Sequence, residues 1–303
     1  MKKILLLSSG KAYLPEIEAY KKYLSNDDYQ FVDSRELGTI DFKEFDLIWK
    51  FMGIDFHKTI NVPIIHEYAS LSTGNFAKAK NCIKRVFNIR PELRIFLNEN
   101  VKREFNFNDN VPYVYRDMGV DDCFFIKNDN KNYDFVYVGE MSFERGITNI
   151  LEKFAKELNT QSLLMIGEPE KLIYAKYKKF RNIIFTGRVN YTEVPQIASQ
   201  AEYAINYIPD KYPYNLQTST KLLEYVAMNL KIVTTNYKWV NEFEKEKGMK
   251  FYKISQDLKE LMPQNLKMFN FNITDISDMK WVKVLEKTNL KSSINELIRR
   301  EYE

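Results

Sequence analysis

The residues of this chain best suited to chemistry lie in Thr218-Ser-Thr-Lys-Leu-Leu-Glu224. Hydroxyl side chains at a helix start leave backbone N–H groups able to receive an anion, and the helix dipole favours a phosphate there. Glu224 stands four residues beyond Thr220 and shares its helix face, within reach of sugar hydroxyls beside such a phosphate. Ile232-Val-Thr-Thr235 then reads as a buried parallel strand. Taken alone, the same pattern is first of all a well-capped surface helix. Its neighbours decide between the two readings.

Short apolar runs alternate with helical patterns from end to end, the signature of parallel sheets with crossover helices. Expected strands in the first half are residues 3–7, 29–32, 46–51, 62–66, 94–97 and 111–115, with helical patterns over 14–24 and 73–87. Lys127-Asn-Asp-Asn-Lys-Asn132 reads as an exposed linker. A second series follows at 134–138, 162–166, 182–185, 204–207 and 232–235, and residues 278–302 form a last helical pattern. Three of these later strands run into Gly139, Gly167 and Gly187. Glycine past a strand's C-terminal end permits close backbone approach, at the edge where open α/β sheets bind ligands. One such glycine is equally an ordinary turn; three in succession are a stronger signal.

At 303 residues the chain holds two domains, and 45% hydrophobic with 28% charged residues is the balance of a soluble globular protein. A net charge of +4 is too small to argue for nucleic acid. Two cysteines without ligand spacing, Cys82 and Cys123, predict a reduced, cytoplasmic setting without disulfides or structural zinc. The apolar run after Met1-Lys-Lys is too short for a signal peptide, and none approaches the roughly 18 residues of a membrane span. Two histidines and no Asp-x-Asp triplet offer few ligands for a divalent metal, so none is expected.

The order of these features resembles the retaining glycosyltransferases of the GT-B fold, of the family 4 (group 1) type. Val136-Tyr-Val-Gly-Glu-Met-Ser-Phe-Glu-Arg-Gly146 is similar to that family's strand, glycine and Arg/Lys-Gly element. Leu163-Leu-Met-Ile-Gly167 and Asn182-Ile-Ile-Phe-Thr-Gly-Arg-Val189 resemble its next two strand ends, and residues 220–235 its most recognisable block. More loosely, Val62-Pro-Ile-Ile-His66 and Tyr115-Arg-Asp-Met-Gly-Val-Asp121 look like elements of its first domain, and Asp278-Met-Lys-Trp281 like the segment crossing back to it.

The resemblance implies two Rossmann-like domains with parallel sheets facing across a cleft. The boundaries would be 1–128 on the acceptor side and 129–280 for the nucleotide-sugar, with 281–303 returning to the first domain. It implies a nucleotide-sugar donor, UDP-linked, a saccharide or lipid-linked acceptor, no cofactor, and no protein nucleophile. Arg145 would hold the diphosphate, and the amides of Thr218, Ser219, Thr220 and Lys221 the distal phosphate. Glu224 would take the ribose hydroxyls, Arg188 and Val189 the base, and His66 the transferred sugar or reacting phosphate. Each has a plainer competitor: a surface charge for Arg145, a satisfied core histidine for His66, a solvent-facing residue for Glu224.

Two positions depart from the family. Glu140 stands where an arginine is usual, and a carboxylate facing a diphosphate would repel it. Leu216 stands where a glutamate usually meets the donor sugar, so Gln217 or Asn215 would supply replacement hydrogen bonds. These departures keep a degenerate, binding-only protein in view beside a sugar-nucleotide epimerase. Residues 76–103 carry eight Lys/Arg against two acids, Glu92 and Glu99, which reads as a solvated basic face or as docking on the anionic inner face of the cell membrane. A short first domain allows help from a second copy.

Overall fold

A computed structural model describes residues 1–10, 13–26, 28–53 and 62–300. The chain divides into two compact units, Met1–Asp121 with Asp278–Glu303, and Asp122–Ser277.

The first unit runs β1 (Lys2–Leu7), α1 (Pro15–Tyr23), β2 (Tyr29–Asp33), β3 (Leu47–Phe51), β4 (Ile64–Tyr68), α2 (Ala77–Phe87), β5 (Leu93–Phe96), α3 (Glu99–Phe105) and β6 (Tyr113–Tyr115). Its parallel sheet has the order β2-β1-β3-β4-β5-β6. β1 and β3 carry near-continuous apolar side chains, and β4 is buried along its whole length although it includes His66 and Glu67, because helices cover both faces of such a sheet. β4 begins at Ile64 rather than residue 62, with Pro63 contributing only its carbonyl, to the N–H of Ile48 (3.0 Å).

The second unit runs β7 (Tyr133–Val138), α4 (Ile147–Lys156), β8 (Leu163–Ile166), α5 (Lys171–Tyr177), β9 (Ile183–Gly187), α6 (Val194–Ala198), β10 (Ala201–Asn206), α7 (Thr220–Ala227), β11 (Lys231–Thr235), α8 (Lys238–Lys247), β12 (Tyr252–Ile254) and α9 (Pro263–Met268). The strand order is β12-β11-β10-β7-β8-β9, again parallel. The chain reverses its direction of growth between β7 and β10, so the sheet's switch point lies outside their C-terminal ends. β12 was not among the expected strands; three residues with a central lysine give too little apolar pattern.

The chain then returns to the first unit as α10 (Trp281–Lys287) and α11 (Leu290–Arg300), two helices where one pattern was expected. The break falls at Thr288, whose hydroxyl donates to the Leu285 carbonyl (2.8 Å). Glu301 and Tyr302 of the expected helix lie outside the described residues. The division between units falls at Asp121/Asp122 rather than after residue 128, and at Ser277/Asp278 rather than after 280. Phe124 packs on Tyr191 of the second unit (ring centres 5.1 Å apart), while Val120 pairs with Lys280 within the first.

Candidate donor site in the second unit

The three strand-end glycines form a row. Gly139 N–H donates to the Ile166 carbonyl (2.9 Å) and Gly167 N–H to the Gly187 carbonyl (3.1 Å). At Gly167 the backbone φ is +136°, and a Cβ would lie 2.4 Å from the Gly139 oxygen. No other residue fits there. Gly187 also lines a cavity of about 320 Å³ with Glu168, Tyr174, Phe185 and Thr186. Arg188, exposed, and Val189, half-buried, follow it directly.

Ser219 takes the N-cap position of α7, but no side chain caps the helix. Its hydroxyl donates instead to Asn206 Oδ1 (2.8 Å), at the end of β10. Asn206, fully buried, donates in turn to the Thr234 hydroxyl (2.9 Å) and Tyr237 Oη (3.0 Å). This chain of bonds ties the start of α7 to β10 and β11. The Ser219 carbonyl accepts from Leu222 (3.0 Å) and Leu223 (3.2 Å), so the N–H groups of Thr220 and Lys221 precede the first intrahelical bond and point out of the helix end. Thr218 and Gln217 are half-buried just upstream.

Lys221 reaches back across the switch point. Its ammonium lies 4.2 Å from the centre of the Tyr137 ring, donates to Tyr137 Oη (3.0 Å), and sits 3.6 Å from where a Gly139 Cβ would be. Loss of hydration and the nearby Arg145 push its pKa down to about 7, against the opposing pull of Glu224 and Glu140. The Tyr137 hydroxyl donates to the Glu140 carbonyl (3.0 Å), which fixes the turn after Gly139.

Arg145 precedes Gly146, whose left-handed backbone opens α4. Its guanidinium stacks on Tyr214 (4.6 Å to the ring centre), and its Nε donates to Glu140 (3.3 Å). Glu140 therefore turns toward the arginine. At 63% side-chain exposure for Glu140 and 31% for Arg145, this pair is worth at most about 1 kcal/mol. Glu144 is occupied separately, accepting from Tyr214 Oη (3.2 Å). Glu224 is 7% exposed and accepts from Tyr191 Oη (2.9 Å). The carboxylate is thus held by a partner rather than turned to bulk water.

The structure brings Arg145, Glu140 and Glu224 within electrostatic range of Lys221, whose ammonium also lies beside Gly139. His66 is a residue of β4 in the first unit and is completely enclosed (0% exposed), packed edge-on to Tyr68 at 6.2 Å. The Lys221 side chain and its Tyr137 platform were missed from sequence. The available signal was Tyr137 two residues before Gly139, on a strand whose alternate side chains share a face. Asn215, considered as a replacement for the missing glutamate, donates to Asp210 (3.2 Å) and has a buried Oδ1 without a hydrogen-bond partner among the described residues.

Among the described residues, no group of three His, Cys, Asp or Glu is arranged to hold a metal, and no helix is long and apolar enough to cross a membrane.

Residues 132–265 match the family model described as glycosyl transferases group 1. No curated protein sequence matches the chain. Among solved structures it is similar to sucrose-phosphate synthase of Thermosynechococcus elongatus (TM-score 0.64, 11% identity, covering 98% of this chain and 95% of that one). It is also similar to Anabaena HepE in complex with UDP-glucose (0.61, 12%, 100% and 98%). A third likeness is to WaaG, a glycosyltransferase involved in lipopolysaccharide biosynthesis (0.58, 10%, 98% and 98%). The fold is thus that of the GT-B glycosyltransferases. The match to the group 1 glycosyltransferase model lies wholly within its second unit.

Proposed function

We propose that the protein transfers a sugar from a nucleotide-sugar, UDP-linked, to a saccharide or lipid-linked acceptor, with retention of configuration and without a metal ion. The observation that carries this reading is the meeting of an arginine, a lysine and a helix start at the switch point of the second sheet. A diphosphate there meets Arg145, the Lys221 ammonium and the amides of Thr220 and Lys221. Charge-assisted bonds of this kind are stronger than the exposed Glu140–Arg145 pair, so the donor displaces Glu140 at little cost.

The ribose hydroxyls go to Glu224, already oriented by Tyr191. The base lies against Gly187, Arg188 and Val189. Asn215 Oδ1, buried and without a partner among the described residues, is the acceptor offered to the donor sugar where Leu216 offers none. As the glycosidic bond breaks, charge develops on the leaving diphosphate, and preorganised cations and amides stabilise it more than they stabilise the bound substrate. The departing phosphate takes the acceptor proton on the same face, which yields retention. His66, enclosed in β4, has no part in the proposal.

The test is incubation of the protein with a panel of nucleotide-sugars, with release of sugar and the anomer formed followed by NMR and with a chelator arm. Donor turnover with a retained anomer, unaffected by chelator, is expected. Arg145→Ala and Glu224→Ala should each lower turnover by about 100-fold or more. Near-wild-type turnover in both variants would reject the site, and tight binding without any turnover would favour a binding-only protein.

A further inference from the structure

A second cavity, of about 280 Å³, lies within the first unit and includes none of the donor residues. It opens where residues 106–112 join the end of α3 to the start of β6, at the N-terminal end of the strands. Ligands of open α/β sheets bind at the other end. Arg94, 4% exposed, braces its wall: both Nη atoms donate to the Asp109 carboxylate (2.6 Å each), and the guanidinium lies 3.7 Å from the centre of the Phe107 ring. Arg90 donates to the Asp109 carbonyl (2.8 Å). The loop is therefore held in place by bonds of its own.

The alternate residues Asn106, Asn108 and Asn110 are exposed and line the cavity. Asn106 and Asn110 have left-handed backbone (φ +48° and +55°), which asparagine adopts more readily than most residues. None of the three amides makes a side-chain hydrogen bond among the described residues, so each offers donors and an acceptor together. Tyr113 lines the same cavity and is 46% exposed. Tyr115 follows it on one face of the edge strand β6, 40% exposed, with the ring centres 5.4 Å apart. Folding gains little from two rings left this open.

The charges nearly cancel. Arg94 is paired with Asp109, and Arg103 with Glu99 (3.2 Å). Lys102 remains, without a carboxylate partner among the described residues, its ammonium 4.3 Å from the centre of the Tyr113 ring. A nucleic acid would need a row of free cations along its phosphates, and the cavity has one. Amides, ring faces and a single cation instead match a sugar, with hydroxyls that donate and accept, an apolar C–H face and one carboxylate.

We propose that this cavity is a second saccharide site, which takes a glycan whose carboxylates are isolated, as in a chain containing uronic acid. The sugar ring lies on the Tyr113–Tyr115 pair, its carboxylate on Lys102 and its hydroxyls on the amides of Asn106, Asn108 and Asn110. The inference goes beyond the donor-site reading and does not need it, because every residue it uses belongs to the first unit.

The experiment is calorimetric titration of the full chain with a tetrasaccharide of alternating glucuronate and N-acetylglucosamine, and with a tetramer of N-acetylglucosamine alone. The acidic probe should bind about tenfold or more tightly than the neutral one. Lys102→Met should bring the two to equal affinity, and Lys102→Arg should keep the preference. Tyr113→Ala with Tyr115→Ala should weaken the acidic probe by about tenfold or more, while the melting midpoint stays in place. Excess UDP should not displace it.

No binding of the acidic probe, equal affinity for the two probes, or affinity unchanged in the Lys102→Met and paired tyrosine variants would each overturn the proposal. So would displacement by UDP, which would put the saccharide in the donor site, or tighter binding of an oligouridylate that the same variants abolish. The titration uses no donor, so absence of nucleotide-sugar turnover in the wild type would count against the donor site alone.

Discussion

A lysine in the first turn of a helix ordinarily works against the helix dipole. Lys221 accepts that position, and its amine is drawn over the Tyr137 ring, where hydration is lost and Arg145 repels it. Both effects favour the neutral amine, and the pKa falls to about 7. A diphosphate reverses the balance by supplying negative charge. Binding therefore takes up a proton wherever the free protein has lost it, above about pH 7. Nucleotide-sugar affinity should be flat below that pH and weaken above it, by up to about tenfold per unit until the bound lysine also titrates. Calorimetry in buffers of different ionisation enthalpy between about pH 6 and 8.5 would show the uptake, and Lys221→Met would abolish it. A flat affinity profile with no proton uptake would remove Lys221 from the site. The sequence foresaw only this residue's backbone amide, because Tyr137 lies on another strand and nothing in the local pattern of α7 points to it. Glu224 and Arg145 were legible because a helix start and a strand-end turn are local features. Glu140 was legible as an anomaly, though its pairing with Arg145 was not.

At the scale of elements, what sequence shows best is periodicity, and what it misses is short or three-dimensional. Every expected strand has a counterpart, within two or three residues at its ends, because most are buried apolar runs, although the edge strand β6 is largely exposed. β12 escaped notice with Lys253 at its centre. Ser219 was read as a cap, yet its hydroxyl goes to Asn206, a contact no local pattern encodes. The glycine row carries the sharpest element-scale prediction. An alanine at Gly167 would need φ of +136° and would set its Cβ 2.4 Å from the Gly139 oxygen, a backbone atom that cannot swing away. Gly167→Ala should therefore destabilise the second unit by about 2 kcal/mol or more and shift the turn after Gly139. Gly38→Ala meets nothing within 4 Å and has no positive φ, so it serves as the neutral control. Equal denaturation midpoints for the two variants would mean that the row is not held as described.

At the scale of the whole molecule, the two units differ in how they are closed. The second is one continuous stretch, Asp122–Ser277, whereas the first needs both ends of the chain. Trp281, 1% exposed, fills the space left by Gly119, where a Cβ would stand 2.4 Å from the indole. Val120 N–H donates to the Met279 carbonyl (2.9 Å), and Trp281 N–H to the Val120 carbonyl (3.2 Å). Beneath the indole, Arg116 is fully buried and paired with Glu67 and Glu16, while Trp49 Nε1 and Tyr20 Oη also bond Glu67. Burial raises the Glu16 pKa, with Arg116 opposing and the nearby Glu67 adding to the rise. Leu290, Ile294, Leu297 and Ile298 add four buried side chains from α11. Removing residues 278–303 exposes this apolar surface, a loss on the order of 5–10 kcal/mol, as large as the stability of a typical domain. It also opens the buried ion cluster around Arg116 to water. A chain ending at Ser277 should therefore lose the cooperative melting of its first unit and keep that of the second. Calorimetry would read this as one transition lost and one retained, the retained one still raised by nucleotide-sugar if the donor site is as proposed. Two unchanged transitions would show that α10 and α11 are dispensable, and loss of both would show that the second unit depends on the first for its fold.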